Sequence, residues 1–312
     1  MAEGGIAMST TVIAAKKRRS LRQSRRLTAY AFLLPNMLGF LAFTLIPIVV
    51  AFGLSFLNWD FANPAEFVGV KNFARLWRDS GFKIAFNNTL YYTAVSVPMT
   101  IGIALLLAVL LHQKVKGVKW FRTIYFFPEI SSIIAVAVVW NMLYHPTMGP
   151  INSILRSIGI ADPPGWTASV KWALPAVILM SVWKQVGYYT VIYLAGLQGI
   201  PEQLYEAATI DGAGPWQRFR YITIPMLSPS TFLISILLVI SSFKLFDQIV
   251  IMTDGGPGRA TYVLVYYIYY QAFQLFRFGY ASAIATVLFA VVLIVTIIQF
   301  KLEGKWVNYH SM

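Results

Sequence analysis

Long apolar runs separated by short polar stretches dominate the chain. Six of them, at residues 28–57, 89–111, 124–144, 172–197, 227–251 and 280–300, are long enough to cross a hydrocarbon layer, which takes about 20 apolar residues in a helix. The runs are continuous and lack the two-residue alternation of membrane barrel strands. Backbone groups in lipid must find their partners within their own segment, so the pattern predicts six transmembrane helices. Pro35, Pro47, Pro98, Pro128 and Pro175 lie in or near these runs, where a neighbouring helix or water can cover the carbonyl each one frees. The expected fold class is an all-α membrane protein. A tail at 1–27 precedes a six-span domain at 28–300, and a second tail follows at 301–312.

Composition strengthens this reading. Of 312 residues, 58% are hydrophobic and 12% charged, with mean hydropathy +0.64, against about 25% charged in soluble domains. The net charge of +13 could point to nucleic acid. Much of it, however, sits in Lys16, Lys17, Arg18, Arg19, Arg22, Arg25 and Arg26, directly before the first apolar run. A basic cluster there orients the chain and meets anionic membrane lipid, so no nucleic-acid partner is expected. With the N-terminus inside, the inner segments hold fifteen basic residues and the outer loops seven, which predicts both termini in the cytoplasm. The first run is too long for the apolar core of a signal peptide and is read as an uncleaved span. There is no cysteine, which excludes disulfides, thiolate metal sites and cysteine nucleophiles.

Between the fourth and fifth runs, the cytoplasmic loop 198–226 reads as a short helix–turn–helix. Pro201 suits a helix start, and Glu202 meets the positive end of the helix dipole. Asp211-Gly212 supplies a stop with a left-handed cap. Gly214-Pro215 opens a second helix, expected from Trp216 to about Ile222 and ending before Pro225. Two readings fit: a hairpin resting on lipid headgroups, or a docking surface whose small residues Ala207, Ala208, Gly212 and Ala213 admit another body closely.

Charged groups inside spans are costly and point to function. Lys184 lies mid-run in the fourth span, beside Gln185, Tyr188 and Tyr189. Lys244, Asp247 and Gln248 lie in the fifth, and the three-residue spacing of Lys244 and Asp247 puts them on one helix face. Such groups suit a hydroxyl-rich substrate path. Equally, Lys244 and Asp247 could form a structural ion pair, and Lys184 could serve helix packing or a subunit interface. Glu129 reads as a structural or gating charge near the cytoplasmic end of the third span. No phosphate loop G-x-x-x-x-G-K-[ST] occurs, and the glycine-rich stretch 254–258 reads as a tight turn. His112, His145 and His310 are scattered, without metal-ligand spacing, so neither an enzyme nor a metal site is expected.

Glu206-Ala207-Ala208, Gly212, Ile222 and Pro225 match the spacing of the EAA motif of ABC-importer permeases, with Ile224 where leucine is usual. The string LYEAATIDGAGPWQRFRYITIP at 204–225 resembles the carbohydrate-uptake branch of that family. So do FVGVKNF at 67–73, NTL at 88–90, FRTIYFFP at 121–128, TDGGPG at 253–258 and FGYASAIA at 278–285. The resemblance implies a type I ABC-importer permease fold in a bacterial cytoplasmic membrane. Its loop would form coupling helices seated on a separate ATPase, with Glu206, Ala207, Ala208, Asp211, Gly212, Ile222 and Pro225 at the docking surface. It further implies a second homologous permease chain, two ATPase subunits and an extracytoplasmic solute-binding protein. ATP and Mg would belong to the ATPase, with no cofactor on this chain. The implied cargo is a sugar or oligosaccharide, with glycerol phosphate or another organic solute as the alternative. An ion-driven secondary transporter would show internal repeats, and none is evident.

Overall fold

The computed structural model describes residues 28–112 and 118–307. The basic cluster at 16–26, Lys114, Lys116, His310 and the ends of both predicted tails lie outside the described residues. The chain divides after Leu54 into two units, taken in turn.

The first unit is one helix, α1 (Thr28–Leu54), with mean hydropathy 2.4. Its apolar side chains run all round it, as in a helix solvated by hydrocarbon. A π turn occupies Leu41–Leu45, where the Ile46 N–H bonds to the Leu41 carbonyl. Pro47 follows two residues later. A proline ring collides with the carbonyl four residues before it, and a widened turn at that place relieves the collision.

The second unit begins with an antiparallel pair, β1 (Leu57–Asn58) and β2 (Glu66–Phe67). In chain order come α2 (Lys71–Leu76), α3 (Ser80–His112), α4 (Val118–Ile130), α5 (Ile133–Leu143), α6 (Pro150–Ser157), α7 (Ala173–Gln198) and α8 (Glu202–Ile210). Then follow α9 (Pro215–Met226), α10 (Ser228–Phe243), α11 (Asp247–Met252), α12 (Leu264–Tyr269) and α13 (Phe278–Trp306). Helix α3 starts where Asp79 accepts the Gly81 N–H at 2.8 Å and the Phe82 N–H at 3.4 Å, pairing donors that a helix start leaves free.

At the centre α3 packs along α7. Small buried residues stand among the packed side chains of the two helices: Ala104 and Ala108 on α3 and Ala176 on α7. In a membrane such residues let backbones approach, and dispersion then holds the pair. One apolar cluster gathers around Tyr144, Trp166, Met180 and Ile249, a second around Tyr193, Leu227, Ile234 and Phe243. Helix α4 lies so close to α7 that a Cβ on Gly187 would overlap the Tyr125 carbonyl.

The six runs do not all become single straight helices. Among the described residues, α1, α3 and α13 are each long and apolar enough to cross a membrane. The third expected run is a bent pair, α4 and α5, meeting at 108°. Pro128 lies in the last turn of α4, and Ser132 is extended with ψ 130°, so the chain turns sharply where a continuous helix was expected. Glu129 therefore sits at this break, one residue before the end of α4. The fifth run is bent 62° from α9 at Leu227 and interrupted again at 244–246 before α11. Helix α7 has the length, 26 residues or about 39 Å, but Lys184 and Gln185 dilute its apolar character at mid-length.

Conserving the α4–α7 contact requires a bare Cα at 187. Gly187→Ala should lower the thermal midpoint of the purified chain in detergent by an overpacking cost of about 1–3 kcal/mol. An unchanged midpoint would remove this contact as a constraint. The Asp79 cap makes a second prediction. Burial by itself would raise the Asp79 carboxyl, but hydrogen bonds from Tyr280, Tyr267 and the backbone N–H groups outweigh it and hold the group below its ordinary value. The stability it contributes is present above the ordinary carboxylate pKa of about 4 and is lost as pH falls through the depressed one. Asp79→Asn should flatten that acid limb of a thermal midpoint–pH curve; parallel curves for both proteins would contradict it.

Candidate functional site

The loop 198–226 is a rigid elbow. Helix α8 starts at Glu202, with Pro201 just outside it at ψ 130°. It ends at Asp211, whose N–H bonds to the Ala207 carbonyl at 2.9 Å, and the Ala213 N–H reaches the Ala208 carbonyl at 2.8 Å. Gly212 takes φ +80°, a left-handed conformation that costs other residues strain. The Gly214 N–H donates to Gln217 Oε1 at 2.7 Å and opens α9. Two side-chain bridges lock α8 to α9: the Tyr205 and Thr223 hydroxyls lie 3.0 Å apart, and Arg218 Nη1 donates to Thr209 Oγ1 at 3.0 Å.

Helix α9 does not stop before Pro225 as expected. It widens into a π turn at Phe219–Thr223 and runs on to Met226. The device is the one seen before Pro47: a wide turn ending two residues ahead of the proline makes room for its ring. Of the predicted loop residues, Glu206, Ala207, Asp211 and Gly212 are exposed, while Ala208, Ile222 and Pro225 are half-buried. Ile222 packs on the second apolar cluster. Beside the exposed group stand three large apolar side chains that sequence reading passed over, Ile210, Trp216 and Tyr221, at 87%, 71% and 74% exposure. A cleft of about 680 Å³ separates the elbow from the ends of α3 and α7, with His112, Leu197 and Tyr205 in its wall.

Lys184 is 8% exposed. Its Nζ donates to the Glu129 main-chain carbonyl at 3.0 Å and lies 3.8 Å from the Glu129 carboxylate. Helix α4 ends at Ile130, so that carbonyl has no intrahelical partner, and a cation there also meets the negative end of the helix dipole. Lys184 thus caps the broken helix from a neighbouring one. On the same helix Gln185 is half-buried, Tyr188 exposed and Tyr189 buried, with the two tyrosine rings edge to face at 5.2 Å. Lys244 and Asp247 are both exposed, and the shared helix face expected for them is absent. Lys244 ends α10 and Asp247 opens α11, with the interruption between them, and they form no ion pair with each other. Asp247 instead faces the positive end of its own short helix. Gln248 is half-buried.

Other features were invisible in sequence because distant segments make them. An apolar cavity of about 630 Å³ lies between α3, α4, α5 and α7, with Trp140 and Trp183 edge to face at 5.4 Å. The blocks that carried the family resemblance also turn out to fasten segments together. Asn88 donates to the carbonyls of Arg259, Ala260 and Tyr262, and Thr89 Oγ1 accepts the Leu264 N–H at 2.9 Å. Asn72 donates to the carbonyls of Ser55 and Leu57, each at 2.9 Å. Tyr280 donates to Asp79 Oδ2 at 2.5 Å.

This architecture has clear relatives. Residues 100–307 match the family described as binding-protein-dependent transport system inner membrane component. A probable ABC transporter permease protein of Bacillus subtilis, YesP, is 37% identical, covering 96% of this chain and 97% of its own. The lactose transport system permease protein LacF of Rhizobium radiobacter is 34% identical, over 92% of this chain and 98% of its own. Among solved structures, a bacterial ABC transporter involved in importing the acidic polysaccharide alginate superposes with TM-score 0.81 at 26% identity. That match covers 93% of this chain and 100% of the other. With two-thirds of its length matched by the family model, the chain belongs to the family of binding-protein-dependent transport system inner membrane components.

Proposed function

We propose that this chain is the permease subunit of an ATP-driven importer, carrying a sugar or oligosaccharide handed over by an extracytoplasmic solute-binding protein. The observation that carries the reading is the locked elbow α8–α9, which presents Glu206, Gly212 and an apolar knob of Ile210 and Trp216 to its surroundings. Exposed large apolar groups rimmed by polar ones mark an interaction surface. A separate ATPase, carrying ATP and Mg, would seat this elbow in a cleft, and closure of two such ATPases would push on it. The 62° bend between α9 and α10 would pass that push into the membrane. Both termini and the elbow lie in the cytoplasm in this reading, in keeping with the basic-residue tally.

The cargo assignment draws on the lactose permease and the alginate importer, and on the side chains the chain offers. Gln185, Tyr188, Lys244, Asp247 and Gln248 are exposed or half-buried, and supply hydrogen bonds and ring faces that sugars use. A second homologous permease chain would complete the path against these groups. Lys184 acts one layer behind, by holding the α4–α5 break.

In vesicles reconstituted with the whole complex, uptake of a labelled saccharide should be blocked by vanadate. Glu206→Arg and Gly212→Val should each reduce both ATPase co-purification and uptake by tenfold or more. Normal yield of the ATPase with normal uptake in both variants would overturn the docking role. Lys184→Met leaves a helix-end carbonyl without its donor and a half-buried carboxylate without its counter-ion, a cost of about 1–3 kcal/mol. Uptake should fall about tenfold with assembly intact, and adding Glu129→Gln should restore part of it. If the double variant is no better than the single one, the carboxylate is not what Lys184 holds in place.

A further inference from the structure

Helix α3, 33 residues long or about 50 Å, runs from the cleft beneath the elbow, where His112 stands, to a second cleft at its other end. That second cleft, about 490 Å³, opens between α2, the start of α3, and the segment around α12. Arg75, Arg78, Arg259 and Arg277 all line it, and all four are exposed. Like charges bordering one cleft are incompletely screened from one another wherever they stand closer than a Debye length of about 8–10 Å.

The one carboxylate among the described residues lining the cleft offsets a single charge of the four and bonds directly to none of them. Asp79 Oδ2 accepts the Tyr267 and Tyr280 hydroxyls, and Oδ1 accepts two backbone N–H groups. A carboxylate offers about four acceptor sites, and all are taken. Arg259 donates to the Ser80 hydroxyl and Arg75 lies over the Tyr280 ring. Among the described residues none of the four has a carboxylate within ion-pair distance. The cleft also has an unfilled acceptor. Gln271, 3% exposed, uses its amide nitrogen on the Tyr267 hydroxyl, which leaves its Oε1 without a donor. Buried amide oxygens are rarely left so. Tyr262, Tyr267 and Tyr270 form a wall of rings, the last two stacked at 14°.

Four guanidiniums against a single carboxylate, a buried acceptor awaiting a donor and a tyrosine wall are complementary to one kind of ligand. We propose that this cleft binds an anionic, hydroxyl-bearing group: a carboxylate or phosphate held by the arginines, with a hydroxyl given to Gln271 and a C–H face on the tyrosines. Arginine's planar fork matches either anion in two parallel hydrogen bonds. The same chemistry exists on a soluble sugar acid or glycerol phosphate and on the headgroup of phosphatidylglycerol. The site lies at the opposite end of α3 from the elbow and does not depend on the ATPase reading.

The test uses the full chain in phosphatidylcholine nanodiscs, titrated with glucuronate and sn-glycerol 3-phosphate, with glucose and glycerol as neutral controls. A second arm measures phosphatidylglycerol retained on the detergent-purified chain by native mass spectrometry. The informative variant is Arg78→Gln with Arg277→Gln, because neither side chain makes a hydrogen bond within the described residues, so the thermal midpoint should hold. Binding of an anion at least tenfold tighter than its neutral control, weakened tenfold or more in the double variant, supports the site and assigns a soluble source. Phosphatidylglycerol retained by the parent and lost from the variant supports it and assigns the lipid. The lysine double variant, Arg78→Lys with Arg277→Lys, should recover part of either signal. If neither anion nor phosphatidylglycerol distinguishes the parent from the glutamine variant, the proposal is wrong.

Discussion

A helix interrupted in apolar surroundings exposes carbonyls that must find a donor within the protein, and two kinds of irregularity in this chain meet that cost. The sharpest is the 108° turn between α4 and α5, where the donor comes from Lys184 on another helix. A buried ammonium is itself expensive. Here the carbonyl, the carboxylate of Glu129 and the end of a helix dipole are gathered around it, so that one charge satisfies a break that would otherwise be open. Gly187, three residues along the same helix, lets the α4 backbone come near enough for that reach. The two positions act as one joint, the glycine setting the distance and the lysine the bond.

The π turns before Pro47 and Pro225 solve the same problem without a charge. Each widens the helix one turn ahead of the ring. At 225 this carries α9 through the proline to Met226, so that a single residue, Leu227, joins it to α10 at their 62° bend, whereas a helix ended earlier would have left a longer, looser link. A continuous connection transmits force; a loose one absorbs it.

Much of this was legible in the sequence, and the failures share a cause. Hydropathy finds the length of an apolar run but not a change in its direction. Ser131-Ser132 is a small disturbance in composition, yet with Pro128 beside it the chain turns back on itself. The pairing of Lys244 with Asp247 failed for the same reason, since a three-residue spacing means one face only while the helix lasts. The loop at 198–226 was read well because its signals are local: a proline, a glycine stop and a second proline. The cleft around Asp79 was not read at all, because its residues come from segments nearly 200 positions apart. The one available hint lay in the short blocks at 67–73, 88–90 and 278–285, where Asn72, Asn88, Thr89 and Tyr280 bond across to distant backbone or to Asp79. Such blocks mark places where the chain is pinned to itself, and that pinning fixes the cleft walls.

Helix α3 gives the two ends of the molecule a common axis. It is a single rod of 33 residues, with a cationic cleft at its start and the elbow's cleft at its finish. If the rod tilts by about 5° around its middle, each end of a 50 Å helix moves by about 2 Å. That is comparable to a hydrogen bond made or lost. Geometry alone therefore gives a small tilt of α3 the reach to alter the walls of both clefts at once.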